Sequence, residues 1–328
     1  MSSPQEKVAP HVKPARSDPF FIVLNVGSGK GDCDVAEATI RGVLEEAGQA
    51  HEFLAVDNAE ALPAAARRAV EQAKQQKGVV VAAGGDGTIS AVAQAALGST
   101  RPFGVLPQGT FNYFGRTHGI PEDTAESTRE LLDASVRPVQ VGMVNERIFL
   151  VNASLGLYPE LLEERETRKQ RFGRTRLVAL WSALLTLLSD HRSLIIELEH
   201  ELGAQTLRTP MLFVGNNALQ LEQLGIAEAS VVQEGLLTAI TVEPVGTAAM
   251  FALLVRGALG RLGEARSVQS FAFRRMTVHP RRPYGLRRMK VAMDGEIFWL
   301  RIPIEFRVAP HPLLLLAPAR DRSTSQAA

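Results

Sequence analysis

Cysteine is nearly absent from this sequence, which holds only Cys33 among its 328 residues. A single thiol excludes an intrachain disulfide and is typical of proteins from a reducing compartment. The histidines are scattered, and no Cys/His spacing of a metal-binding motif occurs. We therefore predict a cytoplasmic protein without a zinc site of that type.

Long hydrophobic runs are absent as well. The longest apolar stretch, residues 177–189 (LVALWSALLTLLS), is shorter than the roughly 20 residues that span a bilayer, and it predicts a buried or interfacial helix. The first 18 residues are polar and contain proline, which does not fit a signal peptide. We expect residues 1–18 and 319–328 to be a disordered leader and tail.

Neither sign of charge is in excess, since 36 Lys and Arg face 35 Asp and Glu, for a net charge of +1. This balance gives no support for a nucleic-acid partner. Basic residues are nevertheless concentrated at 165–176 and 274–290. Each basic run could meet an anionic membrane surface or form a solvated face, and the sequence leaves both interpretations open.

Strand and helix patterns alternate over the first 140 residues. Apolar runs predict strands at 20–25, 51–56, 79–83 and 103–107, and helical periodicity lies between and after them at 34–48, 59–78, 89–97 and 123–134. This alternation is typical of βαβ units with a mostly parallel sheet. We predict a Rossmann-like α/β domain over residues 19–140.

The pattern changes after residue 140. Short alternating strands are separated by turns, starting with a hairpin at Asn145-Glu146. This pattern predicts a β-sandwich domain over residues 141–310, interrupted by helices at 158–190 and 246–260. The apolar segment 311–318 suits a strand buried on both faces, so we expect it to return to the first domain. A cleft is predicted between the two domains.

A glycine-rich turn surrounds a carboxylate where the third predicted strand ends. Gly84, Gly85 and Gly87 flank Asp86, and Thr88 follows as an expected helix cap. Glycines let a ligand approach the main chain, and a helix N-terminus favours anions. The turn therefore predicts a phosphate site.

A phosphate would repel the carboxylate of Asp86 unless another group compensates for the two negative charges. A bridging Mg²⁺ could bind both, or the carboxylate could accept the proton of a hydroxyl that attacks phosphorus. Both explanations imply phosphoryl transfer. A simple turn with a capping aspartate is the alternative.

Two more loops of small residues follow predicted strands, at 25–32 (NVGSGKGD) and 106–116 (LPQGTFNYFGR). Their polar and glycine positions are Asn25, Ser28, Gly29, Gly109, Thr110 and Asn112. Because ligands bind beyond the carboxyl ends of parallel strands, we expect the three loops to converge on one nucleotide.

These motifs, together with MDGE at 293–296, resemble those of the diacylglycerol kinase catalytic family, which includes bacterial lipid kinases and sphingosine kinases. The resemblance extends over roughly residues 20–318. It implies an α/β nucleotide domain followed by a β-sandwich domain. It also implies that ATP, with Mg²⁺, phosphorylates a lipid hydroxyl of a diacylglycerol-like or sphingoid-like substrate.

The resemblance also implies roles for individual residues. Asp86, Asp294 and Glu296 would be catalytic, with Asp86 or Glu296 as the base and Asp86 as a tentative Mg²⁺ ligand. The implied ATP-binding residues are Asn25, Ser28, Gly29, Gly84, Gly85, Gly87, Thr88, Gly109, Thr110 and Asn112.

Three positions depart from the family pattern. Val26 replaces a common proline, Tyr113 replaces an aspartate linked with Mg²⁺, and Glu234 precedes Gly235 where many members have Asp-Gly. These changes leave the use of metal open. An NAD kinase and an inactive lipid- or nucleotide-binding homologue are the alternative functions. A peripheral contact with an anionic membrane surface and the oligomeric state, a dimer included, are both left open.

Overall fold

The computed structural model describes residues 13–15, 17–26, 30–109, 112–157, 159, 193–200, 203–281 and 287–318, with the backbone alone for residues 30–33. The chain divides into two compact units. The first unit runs up to Val139 and resumes at His311, and the second comprises Gln140–Pro310. The predicted helix at 158–190, including the apolar segment 177–189, falls almost wholly outside the described residues.

A six-stranded sheet forms the centre of the first unit, in the order β2-β1-β3-β4-β18-β5. Its strands are β1 (Phe20–Asn25), β2 (His51–Val56), β3 (Val79–Gly84), β4 (Phe103–Pro107), β5 (Ser135–Val139) and β18 (Leu313–Ala317). Strands β1 to β4 are mutually parallel, while β18 pairs parallel with β4 and antiparallel with β5. The residues of β3 and β4 are buried throughout, as expected for strands covered on both faces.

Five helices of the first unit are described. They are α1 (Lys30–Glu46), α2 (Leu62–Gln76), α3 (Asp86–Ala96), α4 (Tyr113–Thr117) and α5 (Thr124–Asp133). Helix α5 begins after Asp123, whose carboxylate accepts the backbone N–H of Glu126 at 2.8 Å. Leu131 of α5 and Ile40 and Leu44 of α1 pack into one apolar cluster with β1 and β3.

Helix α3 begins at Asp86, three residues before the predicted start at 89. Gly85 is the residue before the helix, and an aspartate in the first turn complements the positive end of the helix dipole. The expectation that Thr88 caps this helix is wrong, because Thr88 lies inside the first turn. Its hydroxyl is used elsewhere, as described below.

The second unit is a sandwich of two six-stranded antiparallel sheets. One sheet has the order β10-β9-β14-β17-β6-β7 and the other β13-β12-β11-β8-β15-β16. The first consists of β6 (Gly142–Val144), β7 (Arg147–Phe149), β9 (Leu194–His200), β10 (Gly203–Thr209), β14 (Arg275–Pro280) and β17 (Ile304–Val308). The second consists of β8 (Asn152–Gly156), β11 (Met211–Gly215), β12 (Leu237–Val242), β13 (Val268–Phe273), β15 (Arg288–Met293) and β16 (Glu296–Arg301).

Both sheets contribute to one core, in which Phe149 and Phe306 of the first sheet pack with Leu155 and Val291 of the second. The described part of this unit also contains helices α6 (Ala218–Gln223) and α7 (Thr247–Ala258) and two 3₁₀ helices. The predicted fold class, a parallel α/β sheet followed by antiparallel β sheets, is confirmed. Among the helices that the structure describes, none is long and apolar enough to cross a membrane.

Candidate active site

Three neighbouring parallel strands of the first unit end at the same edge of the sheet. Leu24 of β1 lies beside Ala83 of β3, and Gly84 of β3 lies beside Pro107 of β4. The chain therefore leaves β1, β3 and β4 side by side. In open α/β sheets this is the edge at which ligands bind.

The end of β1 is hydrogen-bonded to the first turn of α3. The side-chain amide of Asn25 donates to the Thr88 hydroxyl, with 3.1 Å between Nδ2 and Oγ1. Thr88 is only 4% exposed, so the bond is shielded from water. It fixes two segments that are 63 residues apart in the sequence.

The turns after β3 and β4 are in close contact. The backbone N–H of Gln108 donates to the carbonyl of Gly84 at 2.9 Å. A Cβ atom on Gly84 would lie 2.8 Å from the Cβ of Thr88, and one on Gly109 would lie 3.1 Å from the Cα of Gly85. A Cβ at position 84 would therefore clash with Thr88, whereas at position 109 the neighbouring atoms would have to move by a few tenths of an ångström. At Gly85 the nearest atom to an added Cβ would be 3.8 Å away, so this position is open.

Asn112 closes the turn after β4. Its backbone is left-handed, with φ of 43°, a conformation that asparagine tolerates better than most residues. Its Nδ2 donates to the Gly109 carbonyl at 2.5 Å, and its Oδ1 accepts the Gly109 N–H at 3.2 Å. The side chain of Asn112 thus shapes the loop from within.

Asp86 is the titratable group at the centre of these turns. Burial raises the pKa of its carboxyl, while a hydrogen bond from the backbone N–H of Asn112 lowers it. One carboxylate oxygen, Oδ1, is buried and has no hydrogen-bond partner among the described residues. A buried acceptor without a partner costs free energy, which makes Asp86 a candidate for binding a ligand.

Gln108 is a residue that the sequence reasoning did not single out. Its side-chain nitrogen is also buried without a partner in the described part of the chain. Gln108 lies within the motif LPQGTFN, in which only Gly109, Thr110 and Asn112 were predicted to bind ATP. Together with the α3 N-terminus, which has no side-chain cap, it adds donors to a site that already holds the Asp86 acceptor.

The residues present fit a magnesium ion held partly by substrate. Within the described ranges, no group of three or more His, Cys, Asp or Glu side chains could hold a metal. Mg²⁺ commonly takes only one or two carboxylates and completes its shell with phosphates and water. The free oxygen of Asp86 suits that arrangement. Tyr113, at the position of the family aspartate, begins α4, and the Arg116 guanidinium lies 5.8 Å from its ring centre.

Asp294 occupies the tight turn between β15 and β16. It and Gly295 both have left-handed backbones, with φ of 49° and 87°, as an Asp-Gly hairpin turn requires. Its carboxylate accepts three consecutive backbone N–H groups, from Leu150 at 2.8 Å, Val151 at 2.9 Å and Asn152 at 3.2 Å. These contacts support a positioning role for Asp294, because both oxygens hold the start of β8.

Glu296 is the first residue of β16. Its side chain is open to solvent, yet the protein around it raises the pKa of the carboxyl by desolvation. The positive charge of Arg147 opposes this rise. The Arg147 guanidinium lies 4.4 Å from the ring centre of Phe298. No sequence signal had indicated Arg147, since it simply follows a hairpin turn.

The predicted site residues therefore fall into three groups. The first unit brings together Asn25, Gly84, Gly85, Asp86, Gly87, Thr88, Gly109 and Asn112. Asp294 and Glu296 belong to the second unit, at the β15–β16 turn. Ser28, Gly29 and Thr110 lie outside the described residues.

An open cavity of about 750 Å³ also occurs in the second unit, between β10 and β13. Its described lining includes His200, whose ring stacks on Phe271 at 5.1 Å, and contains no carboxylate. It has neither the glycine turns nor the acidic group of the first unit. We therefore place the candidate active site at the sheet edge formed by β1, β3 and β4.

The fold therefore combines an α/β unit, whose sheet edge carries the glycine turns around Asp86, with a β-sandwich unit. Residues 19–144 match the family model of the diacylglycerol kinase catalytic domain. This match confirms, for residues 19–144, the resemblance seen in the sequence motifs.

Two curated relatives of this chain are named as lipid kinases. The chain is 32% identical over 143 residues to a diacylglycerol kinase of Bacillus subtilis, covering 43% of this chain and 46% of that protein. It is 38% identical over 96 residues to a Cronobacter sakazakii protein named "Probable lipid kinase YegS-like", covering 28% and 32%. These matches span less than half of each relative's length.

A solved structure resembles the fold over nearly its whole length. A diacylglycerol kinase from Bacillus anthracis superimposes with a TM-score of 0.65, covering 92% of this chain and 97% of that one. The sequence identity is 17%, so this likeness concerns the fold alone.

Proposed function

We propose that this protein is an ATP-dependent lipid kinase that phosphorylates the hydroxyl of a diacylglycerol-like or sphingoid-like lipid. The observation that carries the proposal is the buried, unpartnered Oδ1 of Asp86 among glycine turns at the edge of a parallel sheet. Lipid-kinase relatives support it. In this proposal residues 19–140 with 311–318 bind the nucleotide, and residues 141–310 bind the lipid.

The glycine turns would hold the phosphates of ATP. The open position at Gly85 leaves room for a phosphate oxygen beside the main chain, and the uncapped N-terminus of α3 directs N–H groups there. Asn25 and Asn112 hold the neighbouring turns in place. Ser28, Gly29, Gly87 and Thr110 complete the proposed set of ATP-binding residues.

Asp86 would hold Mg²⁺, which when bound neutralises negative charge on the phosphates. Burial raises the pKa of the Asp86 carboxyl and of the Glu296 carboxyl above the ordinary value, which makes each carboxylate a stronger proton acceptor. Asp86 and Glu296 are therefore both retained as candidate bases.

The reaction is a single displacement at phosphorus. The lipid hydroxyl oxygen forms a bond to the γ-phosphorus, and the bond from that phosphorus to the β,γ-bridging oxygen breaks. The hydroxyl proton passes to the carboxylate, and ADP leaves with the bonding electrons. Donors already in place at the glycine edge stabilise the charge that develops during transfer.

The test is a transfer assay with ATP labelled in its γ-phosphate, Mg²⁺ and a total bacterial lipid extract. We expect label in a chromatographically separated phospholipid, and its identity names the acceptor. A parallel reaction with NAD⁺ and no lipid distinguishes an NAD kinase. Label in NADP⁺, or no labelled product together with tight lipid binding, would contradict the proposal and favour the respective alternative.

A further inference from the structure

Among the described strands, β16 is the last of its sheet and pairs with β15 alone. One face of this β15–β16 hairpin packs into the sandwich core through Met289, Val291 and Met293. Side chains alternate along a strand, so the remaining residues point to the opposite face. We call its accessible part the outer hairpin face, which consists of Arg288, Lys290, Ile297, Trp299 and Arg301, whereas Ala292 on the same side is buried.

The charges of the outer hairpin face are all positive. Arg288 lies directly opposite Arg301 in the strand register. Like charges at directly opposed positions destabilise a sheet. Both arginines are exposed, and neither has an ion-pair partner in the described ranges. The repulsion between them would be relieved by an external anion.

Trp299 gives the same face an apolar anchor. It is 57% exposed, which is unusual for the largest hydrophobic side chain. Lys290 lies opposite it, with Nζ 5.2 Å from the centre of the ring. A tryptophan beside lysine and arginine is the combination found where proteins meet the interfacial region of a membrane.

Two other arginines of the basic run at 274–290 differ from those on the outer hairpin face because they lie beside carboxylates. Arg275 is 2.7 Å from Glu305, and Arg281 is 3.5 Å from Glu197, so neighbouring carboxylates compensate both. Arg288, on the outer hairpin face, has no such partner among the described residues. Within the described ranges, Arg288 and Arg301 therefore lie without a carboxylate partner on the same face as Trp299.

We propose that the outer hairpin face docks on the surface of an anionic lipid membrane. Headgroup phosphates would pair with Arg288 and Arg301, and the Trp299 ring would enter the interfacial layer. The hairpin that carries this face also carries Glu296 at its turn. Docking would hold the hairpin that carries Glu296 at the membrane surface. This purpose rests on the proposed function, whereas the docking itself does not.

Vesicle sedimentation of the full chain, without ATP, tests the docking independently of catalysis. We expect binding to phosphatidylcholine vesicles that contain phosphatidylglycerol, and little binding to phosphatidylcholine alone. The double variant Arg288→Glu, Arg301→Glu should bind more weakly by about fivefold or more for each charge. Arg208→Glu on β10 is the matched control, because it is exposed in the same unit but belongs to the edge strand of the other sheet.

The position of Trp299 provides a second readout. The sequence contains two tryptophans, so the difference in emission between the wild type and Trp299→Phe isolates this ring. We expect its emission to shift to the blue on addition of anionic vesicles. Absence of wild-type binding, equal binding by the double variant, an equal loss in Arg208→Glu, or an unshifted Trp299 would each overturn the proposal.

Discussion

The side-chain amide of Asn25 and the hydroxyl of Thr88 are joined by a 3.1 Å hydrogen bond that links the end of β1 to the first turn of α3. The close approach of Gly109 to Gly85 connects the same turn to the loop after β4. The ends of β1 and β3 and the described part of the loop after β4 therefore support one another before any ligand arrives. Such preorganisation reduces the entropic cost of binding a polyphosphate.

Replacing Thr88 by valine should weaken this support. Valine has nearly the same shape but cannot accept the hydrogen bond, so we expect a loss of about 1 kcal/mol in the free energy of unfolding. The KM for ATP should rise while the KM for lipid stays unchanged. Thr88→Ser keeps the hydroxyl and is the control. An unchanged KM for ATP in Thr88→Val would show that the bond does not shape the nucleotide site.

The glycines of the second loop should differ in their tolerance of a methyl group. Gly84→Ala places Cβ against Thr88 and should cost about 1–3 kcal/mol of stability. Gly85→Ala has room for the Cβ and should fold normally, yet its methyl group would occupy the proposed phosphate position and weaken ATP binding.

Thermal unfolding and ATP titration calorimetry separate these effects. Gly42→Ala in α1 is the control, because no atom lies within 4 Å of the added Cβ. Replacing a glycine inside a helix by alanine should stabilise the fold by about 0.5–1 kcal/mol and leave ATP affinity unchanged. Normal ATP affinity in Gly85→Ala would exclude phosphate from the position that we assign.

Asp294→Asn should destabilise the second unit. Asparagine tolerates the left-handed backbone, so the change isolates the loss of a charged acceptor for three N–H groups. We expect a loss of about 2 kcal/mol or more, measured by denaturant unfolding. Glu146→Gln, at the exposed turn of another hairpin in the same unit, is the control. Equal stability of the two variants would argue against the positioning role.

Much of the fold could be predicted from local patterns. The buried runs of β3 and β4 are apolar because both faces of a parallel sheet are covered, and this appears directly in the sequence. The start of α3 could not be predicted in this way. Asp86 and Gly87 have low propensity for the interior of a helix, but in the first turn an aspartate is favourable because it complements the positive end of the helix dipole.

The site was predictable where short motifs define it and not where long-range contacts do. The three loops were identified from their glycines, but the bond from Asn25 to Thr88 depends on the register of β1 against β3. Likewise, the three N–H groups on Asp294 come from residues more than 140 positions away. The same long-range packing brings Arg147 close enough to affect Glu296, although no motif contains it.

The raised pKa of Asp86 predicts how its removal affects stability. Between the ordinary carboxyl pKa of 3.8 and the raised value in the folded state, the unfolded chain loses its proton first. Stability therefore falls as pH rises through this window and stays lower above it. Asp86→Asn should be more thermostable than the wild type at neutral pH, and the difference should vanish below the ordinary pKa. A melting-temperature difference independent of pH would contradict this prediction.

The most direct test of the account compares the two consequences of Asp86→Asn in one preparation. We expect label transfer from the γ-phosphate of ATP to lipid to fall by about 100-fold or more, while the melting temperature at neutral pH does not fall. Glu296→Gln, assayed alongside, shows which carboxylate is the base. Transfer at the wild-type rate by a folded Asp86→Asn variant would contradict the central claim that Asp86 acts in phosphoryl transfer.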